Sequence, residues 1–331
     1  VFSGLGLAAF ALIAAALDAR AQTPAAPPPT AECAAAFSRL DAAIKNRQRG
    51  ELEKAGFDMG GVPGCDPDIV TEKRRDAARI LVDLADSAAK AGVPRDELNA
   101  RYLAARRVAP VWQVLKGLAD ISFDAQDFKA AARLYGDLWS DLDDPRPGDT
   151  PPPPDLKDWA FERASETQML APVIVPPKRD GTPGGIDAAL ETGQARDLVP
   201  RARPLPVTYE YDSANMTQDG KVFASRWWDQ IKVLDSPVLT LVGHTDPRGS
   251  APHNETLAIA RAETLAKFLK EQGFEGNLVT VGFGFRCPVN FSTGAHYTQE
   301  QQWQIDRRVE VIAAGDLPPG FCNGQTPTRG P

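Results

Sequence analysis

The stretch Leu239–Leu269, LTLVGHTDPRGSAPHNETLAIARAETLAKFL, limits the possible folds more than any other part of the chain. Leu239, Leu241 and Val242 lie in a continuous apolar run, as a strand covered on both faces requires. Gly243 ends the run. His244, Thr245 and Asp246 follow at the strand's carboxyl end, and Pro247, Gly249 and Pro252 mark a turn. Ser250 is placed to cap a helix, and Gly273 to close it. Within that helix Ala258, Ala262, Leu265 and Leu269 recur at helical spacing, so one stripe faces a core. Arg261 lies off that stripe, near the helix's first two turns. Asp246 and Arg261 are then expected to flank one crevice, at the edge where open α/β sheets bind ligands. An acid and a guanidinium facing one cleft suit a ligand that carries both an ammonium and a carboxylate. The same pair also fits a plain salt bridge that ties the loop to the helix.

Around this unit, several short motifs stand in a fixed order. Thr245-Asp246, Asn254, Leu257 and Arg261-Ala262 come first. Gly282-Phe283-Gly284 and Pro288 follow, then Asp306-Arg307-Arg308-Val309-Glu310. Upstream stand Tyr211-Asp212-Ser213-Ala214 and Gly220. Together they resemble the peptidoglycan-binding domain of the OmpA-like family over residues 205–315. The resemblance implies an α/β sandwich with a mixed sheet packed by helices. It also implies a ligand, the diaminopimelate of the peptidoglycan peptide stem, whose side chain ends in a free ammonium and carboxylate. Carried over by motif, Asp246 and Arg261 are the main contacts. Asn254 bonds the ligand or holds the loop, Thr245 offers its backbone or hydroxyl, and Asp212 in the opening loop is a further polar contact. Arg308 is read as structural. Asp306 stands where the family has Asn, which weakens any contact carried over from that Asn.

The rest of the chain reads as an all-α region and connectors. Val1 to Leu17 is apolar and uncharged, and Ala19-Arg20-Ala21 then gives a cleavage pattern, so residues 1–21 read as a signal peptide; residues 22–32 are a Pro/Ala spacer. From 33 to 143 the pattern is helical. Its stripes are Cys33, Phe37, Leu40 and Ile44; Ala77, Ile80, Leu84 and Ala88; Leu98 and Tyr102; Val111, Leu115, Leu118 and Ile121; and Phe128, Ala131, Tyr135, Leu138 and Leu142. Residues 110–142 weakly resemble a tetratricopeptide hairpin, but no repeat of that period precedes them. Residues 144–204 form a Pro-rich linker region, with a short helix expected over 155–170 and a strand at 173–175. In the last region a first strand is expected over 205–211, then a helix capped by Thr217 that carries Phe223, Trp227, Ile231 and Leu234. Val279, Val281 and Phe283 alternate as in a half-buried strand, Val309 and Val311 lie in the final one, and 316–331 is a tail.

A net charge of −7 and a pI near 5.2, with no basic run, exclude a general nucleic-acid binder. In an exported chain the four cysteines imply two disulfides. Three pairings exist; Cys33 with Cys65 and Cys287 with Cys322 keep each bridge within one region. No cofactor is expected. His244, Asp246 and His253 offer one competing idea, a zinc site in an envelope hydrolase, but HExxH and nucleophile-elbow patterns are absent. The expected role is a cell-wall tether or adapter without turnover, exported to the periplasm and associated with the cell wall or outer membrane. The helical region is expected to meet an unidentified protein partner. A protein-interaction scaffold carried by that region is a further alternative.

Overall fold

The structure, a computed structural model, describes residues 29–143, 150–171, 203–205, 207–232, 238–292, 294–312, 317 and 319–330. The expected signal peptide, most of the spacer, the strand at 173–175 and Leu234 lie outside these residues, as does the Ile231 side chain.

The helical region runs α1 (Ala31–Asn46), α2 (Arg49–Met59), α3 (Pro67–Lys90), α4 (Arg95–Val108), α5 (Trp112–Asp124) and α6 (Phe128–Asp143). Successive helices pack on one another along the chain. Thr30 caps α1 by accepting from Cys33 N, and Asp66 caps α3, with Pro67 at the first helical position where its missing N–H costs nothing. Leu40, Leu52, Met59, Leu81, Tyr102, Val108 and Leu118 meet in one core. On α3 the fully buried line is Ala77, Ala78, Leu81 and Ala85, so Ile80 and Leu84 of the expected stripe sit at its margin. The helix α2 was not evident from its pattern. Its buried positions are only Leu52, Gly56 and Met59, because Gly56 makes room for the Val108 side chain. The Cys33–Cys65 disulfide ties the start of α1 to the turn before α3.

The helix expected over 155–170 is present as α7 (Leu156–Leu170). It is not an isolated piece of connector. Leu156, Ala160 and Ala164 join a second core with Phe123, Ala131, Tyr135, Leu138 and Trp139 of α5 and α6. Ala295 and Tyr297, far along the chain, pack on the same core.

The C-terminal region holds a mixed five-stranded sheet of order β1-β4-β2-β3-β5. Its elements are β1 (Arg203–Leu205), α8 (Gln218–Ile231), β2 (Val238–His244), α9 (Ala251–Glu271), β3 (Asn277–Gly284), α10 (Gln299–Asp306), β4 (Val309–Ile312) and β5 (Thr328–Arg329). The pair β2–β3 is parallel; β4 runs antiparallel to both β1 and β2. The first strand differs from expectation, since its ladder covers only 203–205. Residues 207–217 instead fold back on themselves: Thr217 N donates to Thr208 O, Glu210 N to Asn215 O, and Tyr209 bridges Met216. That local hairpin satisfies backbone groups that a longer strand would have offered to the sheet.

Both faces of β2 are covered. Leu239 and Leu241 face α9 with Ala262, Leu265 and Leu269. Val242 faces the other way with Val281, Phe283 and Ile312, under Leu317, Phe321 and Cys322. The expected tail therefore closes the second face, through the Cys287–Cys322 disulfide and through β5, which pairs with Val281 and Gly282. This cover is why β4 is buried at every position and β3 at its last four rather than alternately.

Two glycines set the distance of α9 from the sheet. A Cβ on Gly243 would lie 1.9 Å from Ala258 O, and one on Gly282 would lie 2.9 Å from Ile259 N. The helix backbone rests directly on β2 and β3, which carries its first turns to the strand ends.

Candidate ligand pocket at the carboxyl end of β2

At Gly243/His244 the β2–β3 register slips, so that His244 pairs with Gly284, whose φ of +56° suits glycine. Thr245 N donates to Gly284 O at 2.9 Å, and the chain turns away into the Asp246 loop. Ser250 then caps α9 through His253 N. Tyr211, Asp212, Thr245, Asp246, Arg261 and Arg307 are among the side chains that line the resulting pocket.

Asp246 and Arg261 open on this one pocket, yet they do not bond each other. Asp246 Oδ1 accepts from Arg248 N at 3.0 Å and Arg248 Nε at 3.1 Å. Asp246 Oδ2 accepts from Arg248 Nη2 at 2.8 Å and Arg307 Nη1 at 2.9 Å. Burial alone would raise the carboxyl pKa, but the bonds from Arg248 and Arg307 outweigh it and hold the pKa at about 2.

Arg261 is 1% exposed, deeper than its position off the apolar stripe suggested. Its Nε donates to Ser213 O at 3.1 Å and its Nη1 to His244 O at 3.4 Å. The guanidinium lies over the Tyr209 ring, 5.4 Å from the centroid, while Tyr209 Oη donates to Arg261 O. Burial pulls its pKa down, and Tyr209, Asp246 and Asp212 partly offset this. No carboxylate pairs with it among the described residues. A buried cation without an anion is costly to hold in place.

The other expected contacts are distributed unevenly. The buried Thr245 hydroxyl has no partner among the described residues and borders the pocket. Asn254 is buried, lines the pocket and donates from Nδ2 to Arg248 O at 2.8 Å, so it holds the loop. Asp212, at a φ of +49°, stands on the rim and bonds His253 Nε2 at 2.6 Å. The three residues of the zinc idea are not gathered. His244 points to the far face of the sheet, stacked 5.9 Å from Phe283 and 3.5 Å from Glu310, and burial keeps it neutral. Among the described residues no cluster of three metal-ligating side chains occurs. Arg308 is structural: it bonds Glu310 at 2.5 Å and Cys287 O at 3.2 Å. Asp306 is held by Val289 N at 2.9 Å and is also structural.

Sequence reasoning missed Arg248 and assigned no site role to Arg307. Arg248 stands two residues after Asp246, a spacing at which an Asp carboxylate takes the backbone N–H of its own turn, and that was a usable signal. Arg307 reaches the pocket only because β4 lies beside β2, with His244 N donating to Arg308 O. A capping box, Thr298 with Gln301, starts α10 and brings Glu300 and Trp303 to the same rim.

Residues 208–302 match the OmpA family and form an OmpA-like domain. The chain is 33% identical to the peptidoglycan-associated lipoprotein of Pseudomonas aeruginosa over 104 residues, 31% of this chain and 58% of that protein. It is 24% identical to a photosystem I chlorophyll a apoprotein of Gloeobacter violaceus over 151 residues, 41% of this chain and 17% of that protein. The chain thus spans less than two thirds of either relative's length. Among solved structures it is similar to the peptidoglycan-associated lipoprotein from Burkholderia pseudomallei, with 23% identity, TM-score 0.28, and 32% of this chain and 86% of that one covered.

Proposed function

We propose that the OmpA-like region binds peptidoglycan non-covalently, by gripping the zwitterionic end of diaminopimelate in the peptide stem, and that the protein serves as a tether or adapter at the cell wall. Asp246 takes the ligand ammonium, Arg261 its carboxylate, and the Thr245 hydroxyl a further bond. One observation carries the reading: Arg261 is a buried guanidinium at a pocket, without a carboxylate partner among the described residues, and Asp246 lines the same pocket. An incoming carboxylate supplies the missing anion in the fork geometry that arginine favours. The family match and the peptidoglycan-associated relative support the ligand class. On this reading the pocket binds its ligand without turnover. The periplasmic side of the envelope is the compartment where such a ligand occurs and where two disulfides persist. The helical region would then present a protein partner to the wall.

Co-sedimentation with purified sacculi tests this. The intact protein should pellet, and Asp246→Ala and Arg261→Ala should each reduce binding by about 100-fold, since either leaves one charge of the pair without its counterpart. Arg261→Lys, which keeps the charge and loses the fork, should fall between. If both alanine variants remain folded and pellet like the parent protein, the assignment is wrong.

A further inference from the structure

We infer that Arg248 is an exchangeable internal counter-ion that occupies the ammonium position at Asp246 and must be expelled for ligand to bind. This rests on the diaminopimelate reading above and deepens it. A carboxylate offers about four lone-pair positions. Four donors already fill those of Asp246: Arg248 N, Nε and Nη2, and Arg307 Nη1, at 2.8 to 3.1 Å. An ammonium therefore cannot bond Asp246 until a donor leaves.

The Arg248 side chain is the donor group free to go. It supplies two of the four bonds and is 35% exposed, against 21% for Arg307. A landing place is already built beside it. Its guanidinium lies 4.5 Å from the Trp303 ring centroid and 5.4 Å from that of Tyr211, which is 74% exposed. Its Nη1 is 3.8 Å from Glu300 Oε2. Swinging outward, it keeps an aromatic face and an acid while returning to water. The backbone N–H of Arg248 stays on Asp246, and Asn254 stays on Arg248 O, so the loop keeps its shape. A ligand with a carboxylate but no ammonium has nothing to exchange for the guanidinium. The cost of the exchange therefore falls on zwitterions alone: Arg248 weakens a ligand that brings an ammonium and leaves a simple acid unaffected.

Calorimetry on the full chain tests this with meso-diaminopimelic acid and with pimelic acid, which lacks both amines. Removing the internal competitor in Arg248→Ala should tighten diaminopimelic acid binding by about 10-fold and leave pimelic acid no tighter. In the parent protein, the Arg248 Nε–H resonance should shift when diaminopimelic acid is added. Unchanged or weaker diaminopimelic acid binding by a folded Arg248→Ala overturns the exchange and makes Arg248 a spectator or a direct contact. Equal tightening for both ligands overturns the competition at the ammonium position, since pimelic acid brings no ammonium to it. If neither the parent protein nor the variant binds diaminopimelic acid, the proposed function fails and takes this inference with it.

Discussion

Two carboxylates, Asp246 at the end of β2 and Glu166 on α7, are each held by several hydrogen bonds, four on Asp246 and three on Glu166, and their surroundings differ in kind. Asp246 is held by two guanidinium groups and one amide at the mouth of a pocket. Glu166 is buried between α7 and the loop before α10, where Ser292 N at 2.6 Å, Ser292 Oγ at 2.8 Å and Tyr297 Oη at 2.7 Å donate to it. Asp246 has its pKa pushed down to about 2 by those arginines, against its burial. Burial raises the Glu166 pKa, and its neutral donors, with a smaller contribution from the Arg163 charge, offset only part of that. Charged donors beside water suit a group that trades partners, as proposed for Asp246. Neutral donors in an apolar setting make a fastener. Around Glu166 the setting is dry: Arg163 stacks 4.1 Å from the Phe123 centroid, and Tyr297 packs edge-on to the same ring at 5.5 Å. Gln304 also donates to Met169 O at 3.1 Å. The helical region is thereby fixed to the OmpA-like domain through α7.

The comparison can be broken from either side. The largest effect is expected from Gly243→Ala, which drives a methyl into the carbonyl of Ala258 and lifts α9 off the sheet. It should cost about 3 kcal/mol or more and abolish sacculus binding, while α1–α6 keep their helical signal in thermal melts followed by circular dichroism. Next, Glu166→Ala strands three donors at a buried junction and should cost about 2 kcal/mol in urea unfolding. Its binding to sacculi should stay unchanged. A loss of binding there would show that the two regions are coupled.

The smallest effects are those of pH, and they carry opposite signs. The Asp246 pKa lies below the ordinary 3.8, so its stabilisation is present above that value and is lost as pH falls toward about 2. The Glu166 pKa lies above the ordinary 4.5, so its ionisation destabilises the fold as pH rises past 4.5. Melting curves of the parent protein against Asp246→Asn and Glu166→Gln should show the first variant losing the acid-side decline and the second losing the mild-acid gain. The same sign for both would refute the contrast.

Much of the C-terminal fold was legible locally. The apolar run of β2, the α9 stripe, the Ser250 and Thr217 caps and both disulfide pairings are present. So is a shared pocket for Asp246 and Arg261. The cover over the far face of β3 and β4 was not legible, because the 3₁₀ turn at Phe321–Gly324 and the two-residue β5 are too short to show a period. Nor was the burial of α7, whose inner face presents Arg163, Glu166, Thr167 and Gln168, polar residues that read as solvent-facing.

Local order along the chain determined the apolar run of β2, the stripe and cap of α9, the cap of α8, and that an acid and a guanidinium stand on either side of one turn. These follow from periodicity, capping and turn chemistry, which act over a few residues. Only the tertiary structure decided what those charges meet. The neighbour of β2 is β4, which brings Arg307 to Asp246 across 61 positions, and α7 meets Ser292 across 126. Hydrogen bonds and burial depend on distance in space, and a sequence records distance only along the chain.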